Sequence, residues 1–262
     1  MKLIRTEDAV GQMLCHDMTQ IIKDKYKDAR LLAVNRQEEV MIVTRKGGTA
    51  VRRGDKLAGM RVIPLIIAEE KLQKAEQAAG DVPLLSLRPF VRKTACIVCT
   101  GGEVKAGLIK DTFTPVVIEK LRKLGIETLE TVYSGDGVEN VCDAVLAMRG
   151  KKPDMSLCTG GMSVDPDDNT PGGIKAAGAD IVCYGALVLP GAMFLLGYFS
   201  DGMPVMGLPG CVMYAGATVF DLVLPKVAAD VCVTRDEITA LGEGGLCLGC
   251  GECHYPICPF GK

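Results

Sequence analysis

Leu157-Cys158-Thr159-Gly160-Gly161-Met162-Ser163-Val164-Asp165-Pro166-Asp167-Asp168-Asn169-Thr170-Pro171-Gly172 runs from an apolar strand through a glycine pair into a dense group of carboxylates. That order suits a loop that handles phosphate. Gly160 and Gly161 have no β-carbon, so backbone N–H groups can come close to an anion, and Pro171 suits the first turn of a helix whose N-terminus favours negative charge. Asp165, Asp167 and Asp168 would repel a bare phosphate. They make sense when a hard divalent cation, held through oxygens and shared with the ligand, lies between. Gly, Asp, Asn and Pro are also the ordinary residues of a surface strand-to-helix turn. Spacing alone leaves both readings open.

Outward from this stretch the pattern alternates strand and helix. Ala95–Cys99 is an apolar strand, and Thr114–Leu124 a helix with Val117, Leu121 and Leu124 on one face. Ile126–Tyr133 reads as the next strand, and Met155–Cys158 as the one that enters the loop. Between them Val138, Val141, Cys142, Val145 and Leu146 follow the i, i+3, i+4, i+7, i+8 rule of an amphipathic helix. Repeated βα units predict a three-layer α/β/α domain with a mostly parallel sheet. Ligands of such sheets sit beyond the carboxyl ends of the strands. The loops at 100–112, 134–137, 159–171 and 208–211 all follow strands, so they are expected to converge on one edge.

Four of these loops carry motifs. They are Thr100-Gly101-Gly102-Glu103-Val104 with Asp111-Thr112; Asp136; Thr159-Gly160-Gly161 with Asp168 and Thr170-Pro171; and Gly207-Leu208-Pro209-Gly210. In order and spacing over residues 95–225 they resemble the molybdopterin-binding domain shared by molybdopterin adenylyltransferases, molybdenum-insertion enzymes and gephyrin. The resemblance implies a cleft lined by Thr100, Gly101, Gly102, Thr159, Gly160, Gly161, Ser163 and Gly210 that holds the phosphorylated pterin, molybdopterin. It also implies Asp136 and Asp168 as Mg²⁺ ligands and catalytic carboxylates, with ATP as nucleotide, a homo-oligomer, and an acceptor molybdoenzyme downstream. Two positions depart from the family: Asp167 stands where adenylyltransferases usually have a basic residue, and Cys211-Val212 where the family usually has Asn-Pro.

Composition bounds the alternatives. The chain has 262 residues, 48% of them apolar, a formal charge of −2, few aromatics and no tryptophan. It is ample for a packed core but offers neither the basic footprint nor the stacking platform of a nucleic-acid binder. Ile181–Ser200 is free of charge and long enough to span a bilayer, yet Gly185, Pro190, Gly191 and Gly197 break it, and Asp180 and Asp201 flank it. It is read as strands buried on both faces, with no membrane partner. Twelve cysteines in a chain whose first residues lack an apolar leader predict a reducing cytoplasm. Cys96 and Cys99 would face opposite sides of a strand, and Cys142, Cys158 and Cys183 are expected in the core. Cys211 falls at a helix start, which would lower its pKa, but no chemistry is assigned to it.

Residues 1–94 are expected to form a small, mixed or β-rich part ending in a linker, residues 95–232 the α/β domain, and residues 233–262 a cysteine-rich tail. Thr6–Gly11 resembles the opening of the larger insertion-type members, whose multi-domain head is abbreviated here. Val40–Thr44 and Thr49–Arg52 around Arg45-Lys46-Gly47-Gly48 predict a β-hairpin. Ala68–Ala79 predicts a helix, and the stretch from Gly80 to Lys93 the linker. Cys15 and His16 are read as incidental.

The tail reads Cys247-x2-Cys250-x2-Cys253-x4-Cys258-Pro259, four thiols in twelve residues. They are a ligand set for a [4Fe–4S] cluster or for zinc, with His254 as a substitute ligand. In two-cluster ferredoxins the last cysteine of a similar run serves the other cluster, so the spacing does not fix four ligands to one centre. Two function classes follow. One is an enzyme of molybdenum cofactor biosynthesis, for nucleotide-linked activation of the pterin or for molybdenum insertion. The other is a non-catalytic pterin- or nucleotide-binding module whose metal tail serves docking or redox sensing.

Overall fold

A computed structural model describes residues 3–5, 10–14, 19–22, 27–165 and 168–262. Cys15, His16, Thr6–Ala9 and Asp167 lie outside the described residues. The chain divides into two compact units, Met1–Phe90 and Val91–Lys262.

The first unit contains β1 (Leu3–Arg5), β2 (Val10–Leu14), β3 (Thr19–Ile22), α1 (Lys27–Asn35), β4 (Val40–Thr44), β5 (Thr49–Val51), β6 (Lys56–Val62), β7 (Ile66–Ala68), α2 (Glu69–Ala79) and β8 (Ser86–Pro89). The strands form three small antiparallel sheets in the orders β1-β7, β2-β6-β4 and β5-β3-β8. The hairpin expected over 40–52 is corrected here. Both strands exist, but β4 pairs with β6 and β5 with β3. Arg45 continues along β6, its N–H on the Leu57 carbonyl at 2.8 Å and its Nε on that of Lys56 at 2.6 Å. Val40 and Val62 pack with Val34, Ile67 and Ala75, whereas Val51 packs with Leu57 in a second cluster. Gly47-Gly48 therefore links two sheets: burial of each strand's own apolar face outweighs the local turn signal. Strand β8 lies within the stretch read as linker.

The second unit contains β9 (Thr94–Thr100), α3 (Gly102–Lys105), α4 (Phe113–Arg122), β10 (Glu127–Ser134), α5 (Val138–Arg149), β11 (Met155–Thr159), α6 (Thr170–Ala176), β12 (Asp180–Tyr184), β13 (Leu195–Tyr198), β14 (Pro204–Leu208), a 3₁₀ turn (Gly210–Met213), α7 (Val219–Ala228) and α8 (Arg235–Ala240). One six-stranded sheet runs β10-β9-β11-β14-β13-β12. Its first four strands are parallel, and β13 is antiparallel to both neighbours. This is the mostly parallel α/β sheet that the alternation predicts.

Alternate strand residues supply two cores. Cys96, Val98, Cys158, Leu195 and Val205 meet α5 and α6 through Val141, Val145, Met148 and Ile174. Ile97, Leu157, Leu196 and Met206 are also fully buried and point to the other face. Val117 and Leu121 of α4 and Phe220 and Val223 of α7 are buried too. The stripe of α5 differs from expectation. Val141, Val145 and Met148 form it, while Val138 and Leu146 are 38% and 44% exposed. Met148 completes an i, i+4, i+7 line that rotates the buried face away from Val138. The apolar run 181–200 becomes β12, a turn region and β13. Among the described residues no helix is long and apolar enough to cross a membrane.

Candidate functional site

Register sets the edge on which the loops gather. Ser134 pairs with Thr100, and Thr159 lies beside both Cys99 and Leu208. The carboxyl ends of β9, β10, β11 and β14 are therefore level. From β9 the chain adds β10 on one side and β11 on the other, so the strand order reverses between β9 and β11. A ligand crevice belongs at such a reversal.

The first and third loops are knitted together there. The buried Thr100 Oγ1 lies 3.0 Å from the Thr159 carbonyl and 3.1 Å from Thr170 Oγ1, and Thr170 Oγ1 donates to the Gly160 carbonyl at 2.9 Å. Three contacts thus draw on two hydroxyl protons, and both side chains are committed to backbone. Gly160 (φ +82°) and Gly161 (φ +55°) lie against them. A β-carbon on Gly160 would stand 2.2 Å from the Thr100 carbonyl oxygen, and one on Gly161 2.6 Å from Thr170 Oγ1. The glycine pair is required by this close approach, whatever the loop binds. Thr159 is fully buried, its hydroxyl beside the Cys99 thiol, whose pKa burial pushes up.

Asp136 is held by the neighbouring first loop, and Asp168 by its own loop. Asp136 Oδ2 accepts from Gly102 N–H at 2.9 Å, and the Asp136 carbonyl accepts from Asn140 Nδ2 at 2.7 Å. Asp168 Oδ2 accepts from Ser163 N–H, while Asp168 N–H donates to the Asp165 carbonyl at 3.0 Å. Asp136 is exposed and Asp168 half-buried. They follow β10 and β11, which flank β9, so their strands are about 10 Å apart across the ladder. Ser163 and Gly210 are exposed at the same edge, and space is open around Gly210. The structure thus places Thr100, Gly101, Gly102, Asp136, Gly160, Gly161, Ser163, Asp168 and Gly210 on four adjacent loops, with Thr159 beneath them.

Asp111 of the first-loop motif has a structural task, while Tyr133 and Tyr184 carried no signal in the sequence. Asp111 Oδ1 caps α4, accepting from Phe113 and Thr114 N–H at 2.9 Å each, and Oδ2 receives the Tyr133 hydroxyl at 3.3 Å. Burial opposes its charge, but hydrogen bonds from Thr114, Phe113 and Tyr133 outweigh that and hold the carboxyl below the usual range. The Tyr184 hydroxyl donates to the Ser163 carbonyl at 3.3 Å, and burial together with the charge of Asp168 raises its pKa. Leu108 and Val164, on the first and third loops, are 78% and 84% exposed. These apolar tips became visible only through their exposure. Cys211 is corrected: burial pushes its thiol up, because the turn that contains it is a short 3₁₀ segment offering too little dipole to oppose desolvation.

Magnesium with two carboxylates is completed by water and phosphate oxygens. The resemblance gives that role to Asp136 and Asp168, each of which already accepts a backbone N–H through Oδ2. Among the described residues no three His, Cys, Asp or Glu side chains are placed to hold a single ion. Cys247, Cys250, Cys253 and Cys258 line a cavity that shares none of the loop residues named here.

The model of the family described as a probable molybdopterin-binding domain matches residues 96–229, just over half of the chain. The chain belongs to this family. The molybdopterin-binding domain so defined spans β9 to α7 and includes all four loops. A second model, of a domain of unknown function, matches residues 3–33. A CinA-like protein of Shewanella frigidimarina is 34% identical over 87 residues, 33% of this chain and 20% of that protein. The chain thus spans about a fifth of the length of this curated relative. Among solved structures, the CinA protein of Thermoplasma acidophilum (TM-score 0.45, 18% identity) covers 52% of this chain and 98% of its own. The molybdopterin biosynthesis enzyme MoaB of Thermus thermophilus (0.45, 16%) covers 55% and 99%. The molybdopterin biosynthesis MoeA protein from Pyrococcus horikoshii (0.44, 14%) covers 87% and 74%.

Proposed function

We propose that the loops after β9, β10, β11 and β14 form one cleft for the phosphorylated pterin molybdopterin, and that the protein acts in its nucleotide-linked activation or in molybdenum insertion. The observation that supports this most is the level alignment of four motif-bearing strand ends at the reversal of strand order, inside a molybdopterin-binding domain. We assign the backbone N–H groups of Gly160, Gly161 and Gly210 to the phosphate. Gly101 and Gly102 have a different task. Their N–H groups bind the Ser134 carbonyl and Asp136 Oδ2, and so fix the first loop against the second. Ser163 N–H holds Asp168 within the third loop. The exposed Leu108 and Val164 offer apolar surface to the pterin ring system. Asp136 and Asp168 would hold Mg²⁺, which when bound screens the phosphate from the carboxylates and stabilises charge during transfer. ATP as nucleotide, a cytoplasmic setting, self-association and delivery to an acceptor molybdoenzyme are carried over from the family.

Asp168→Asn is the direct test, because asparagine keeps an acceptor for Ser163 N–H while removing the charge. Anaerobic calorimetry with molybdopterin and Mg²⁺ should show affinity falling about 10–100-fold with the fold unchanged. Mass spectrometry of the pterin after incubation with ATP, Mg²⁺ and molybdate separates the two function classes: an adenylylated or molybdenum-loaded product marks an enzyme, and binding with neither product marks a module. Equal Mg²⁺-dependent binding by wild type and Asp168→Asn would remove this carboxylate from the site.

A further inference from the structure

We propose that the cavity lined by Cys247, Cys250, Cys253 and Cys258 is the site of one [4Fe–4S] cluster. All four cysteines line a single cavity of about 310 Å³, walled on the domain side by Pro190 and by Tyr214–Ala217. A structural zinc site, with zinc–sulfur bonds of about 2.3 Å, would draw four tetrahedral thiolates to about 3.8 Å from one another around a point. Here all four cysteines border one cavity. A cubane, bound by a thiolate at each of four iron corners, needs ligands spread around a volume.

The protein fixes these thiols from several sides. Before the first cysteine, Leu189 N–H donates to the Gly245 carbonyl and Cys247 N–H to the Leu189 carbonyl, both at 2.8 Å. Cys253 presses on Gly216, where an added β-carbon would lie 2.5 Å from Cys253 Cβ and 2.6 Å from its Sγ. The Tyr255 hydroxyl donates to the Asp221 carbonyl at 2.9 Å. Its ring meets that of the buried Phe260 edge-on, with centroids 6.2 Å apart. Gly261 N–H then returns to the Gly244 carbonyl at 2.9 Å. The tail is therefore closed on itself and on the domain, and its four cysteines border one cavity from one short segment. In ferredoxin runs of similar spacing the last cysteine ligates a second cluster. Here Cys258 lines the same cavity as the other three, so all four serve one centre. The site stands on its own geometry and does not depend on pterin binding.

Full-length protein purified anaerobically, or reconstituted with ferrous iron and sulfide, should contain about four iron and four acid-labile sulfide per chain. It should also show visible absorption that bleaches on dithionite reduction. Cys253→Ser and Cys258→Ser should lose most of the iron and sulfide. Cys232→Ala, an exposed cysteine outside the cavity, should keep both. About one zinc per chain without sulfide, four freely reactive tail thiols after anaerobic reconstitution, or full iron in both tail variants would overturn the proposal. Wild-type stoichiometry decides even if a serine variant fails to fold, which circular dichroism would reveal.

Discussion

Asp154 controls the end of the sheet opposite the loops. Its Oδ2 accepts from Lys93 N–H, Thr94 N–H and Thr94 Oγ1 at 2.7, 2.8 and 2.9 Å, which ties the starts of β9 and β11 together. The Arg92 guanidinium donates to the Asp154 carbonyl at 2.8 Å and pairs with Asp230 at 2.6 Å. Burial disfavours the charge, but the donors on Lys93 and Thr94 outweigh it and hold the carboxyl below the usual range. A folded-state pKa below the unfolded one contributes stability that is fully present above about pH 4 and is lost as pH falls through the depressed folded value. Asp154→Asn should therefore cost about 1–3 kcal/mol at neutral pH. In urea denaturation the gap to wild type should narrow as pH falls below about 4; an unchanged gap at both pH values would show that charge is not the source. At this scale the sequence announces chemistry better than it announces packing. Thr159-Gly160-Gly161 read as a phosphate approach, yet its two glycines are also required by the Thr100 carbonyl and the Thr170 hydroxyl, contacts between residues about 60 and 10 positions away that no local pattern encodes.

Elements were legible where burial imposes a period. β9, β11 and β14 are apolar along their length because both faces are covered. Helix α5 was recognisable as a helix, but which line of its side chains faces the sheet depends on the tilt it takes against α6, and that moved the buried stripe to Met148. The expected hairpin failed for a related reason: Val40 of β4 packs with Val34, Ile67 and Ala75 while Val51 of β5 packs with Leu57, so the two strands serve separate cores. Contacts between elements also predict what one side chain holds. Lys120 on α4 donates to Asp221 on α7 at 2.6 Å and to the Gly216 carbonyl at 3.1 Å, with the two side chains 10% and 14% exposed. Asp221 completes the capping box with Thr218 that starts α7. Lys120→Met should cost about 2–4 kcal/mol, since it leaves a largely buried carboxylate without its cation. It should also free the Gly216 loop that supports Cys253, so tail thiols should react faster with a thiol reagent. An unchanged denaturation midpoint in this variant would mean that α4 and α7 are held by apolar packing alone.

At the scale of the molecule, the strand pattern of the molybdopterin-binding domain leads to a boundary near residue 232, whereas the contacts of the folded chain extend past it. Val233, Ile238 and Phe260 are buried, Val233 N–H donates to the Tyr198 hydroxyl at 3.0 Å, and Leu246 bridges Leu189. At the other end, Arg92 and Lys93 contribute to the Asp154 network although they precede the first strand. Neither extension was legible beforehand, because single buried residues in short connecting segments have no periodicity to detect. Burying one large apolar side chain contributes about 1.5–3 kcal/mol. Each kcal/mol moves the unfolding midpoint of a domain this size by about 2–4 °C. A fragment of residues 91–262 should therefore unfold in one cooperative transition, because all six strands find their partners within it. A fragment of residues 95–232 lacks three such side chains and the Arg92 anchor, and should unfold at least about 10 °C lower. Matched midpoints for the two fragments in scanning calorimetry would mean that the tail rests on the domain without stabilising it, and the buried positions of Val233, Ile238 and Phe260 would then carry no share of the fold's stability.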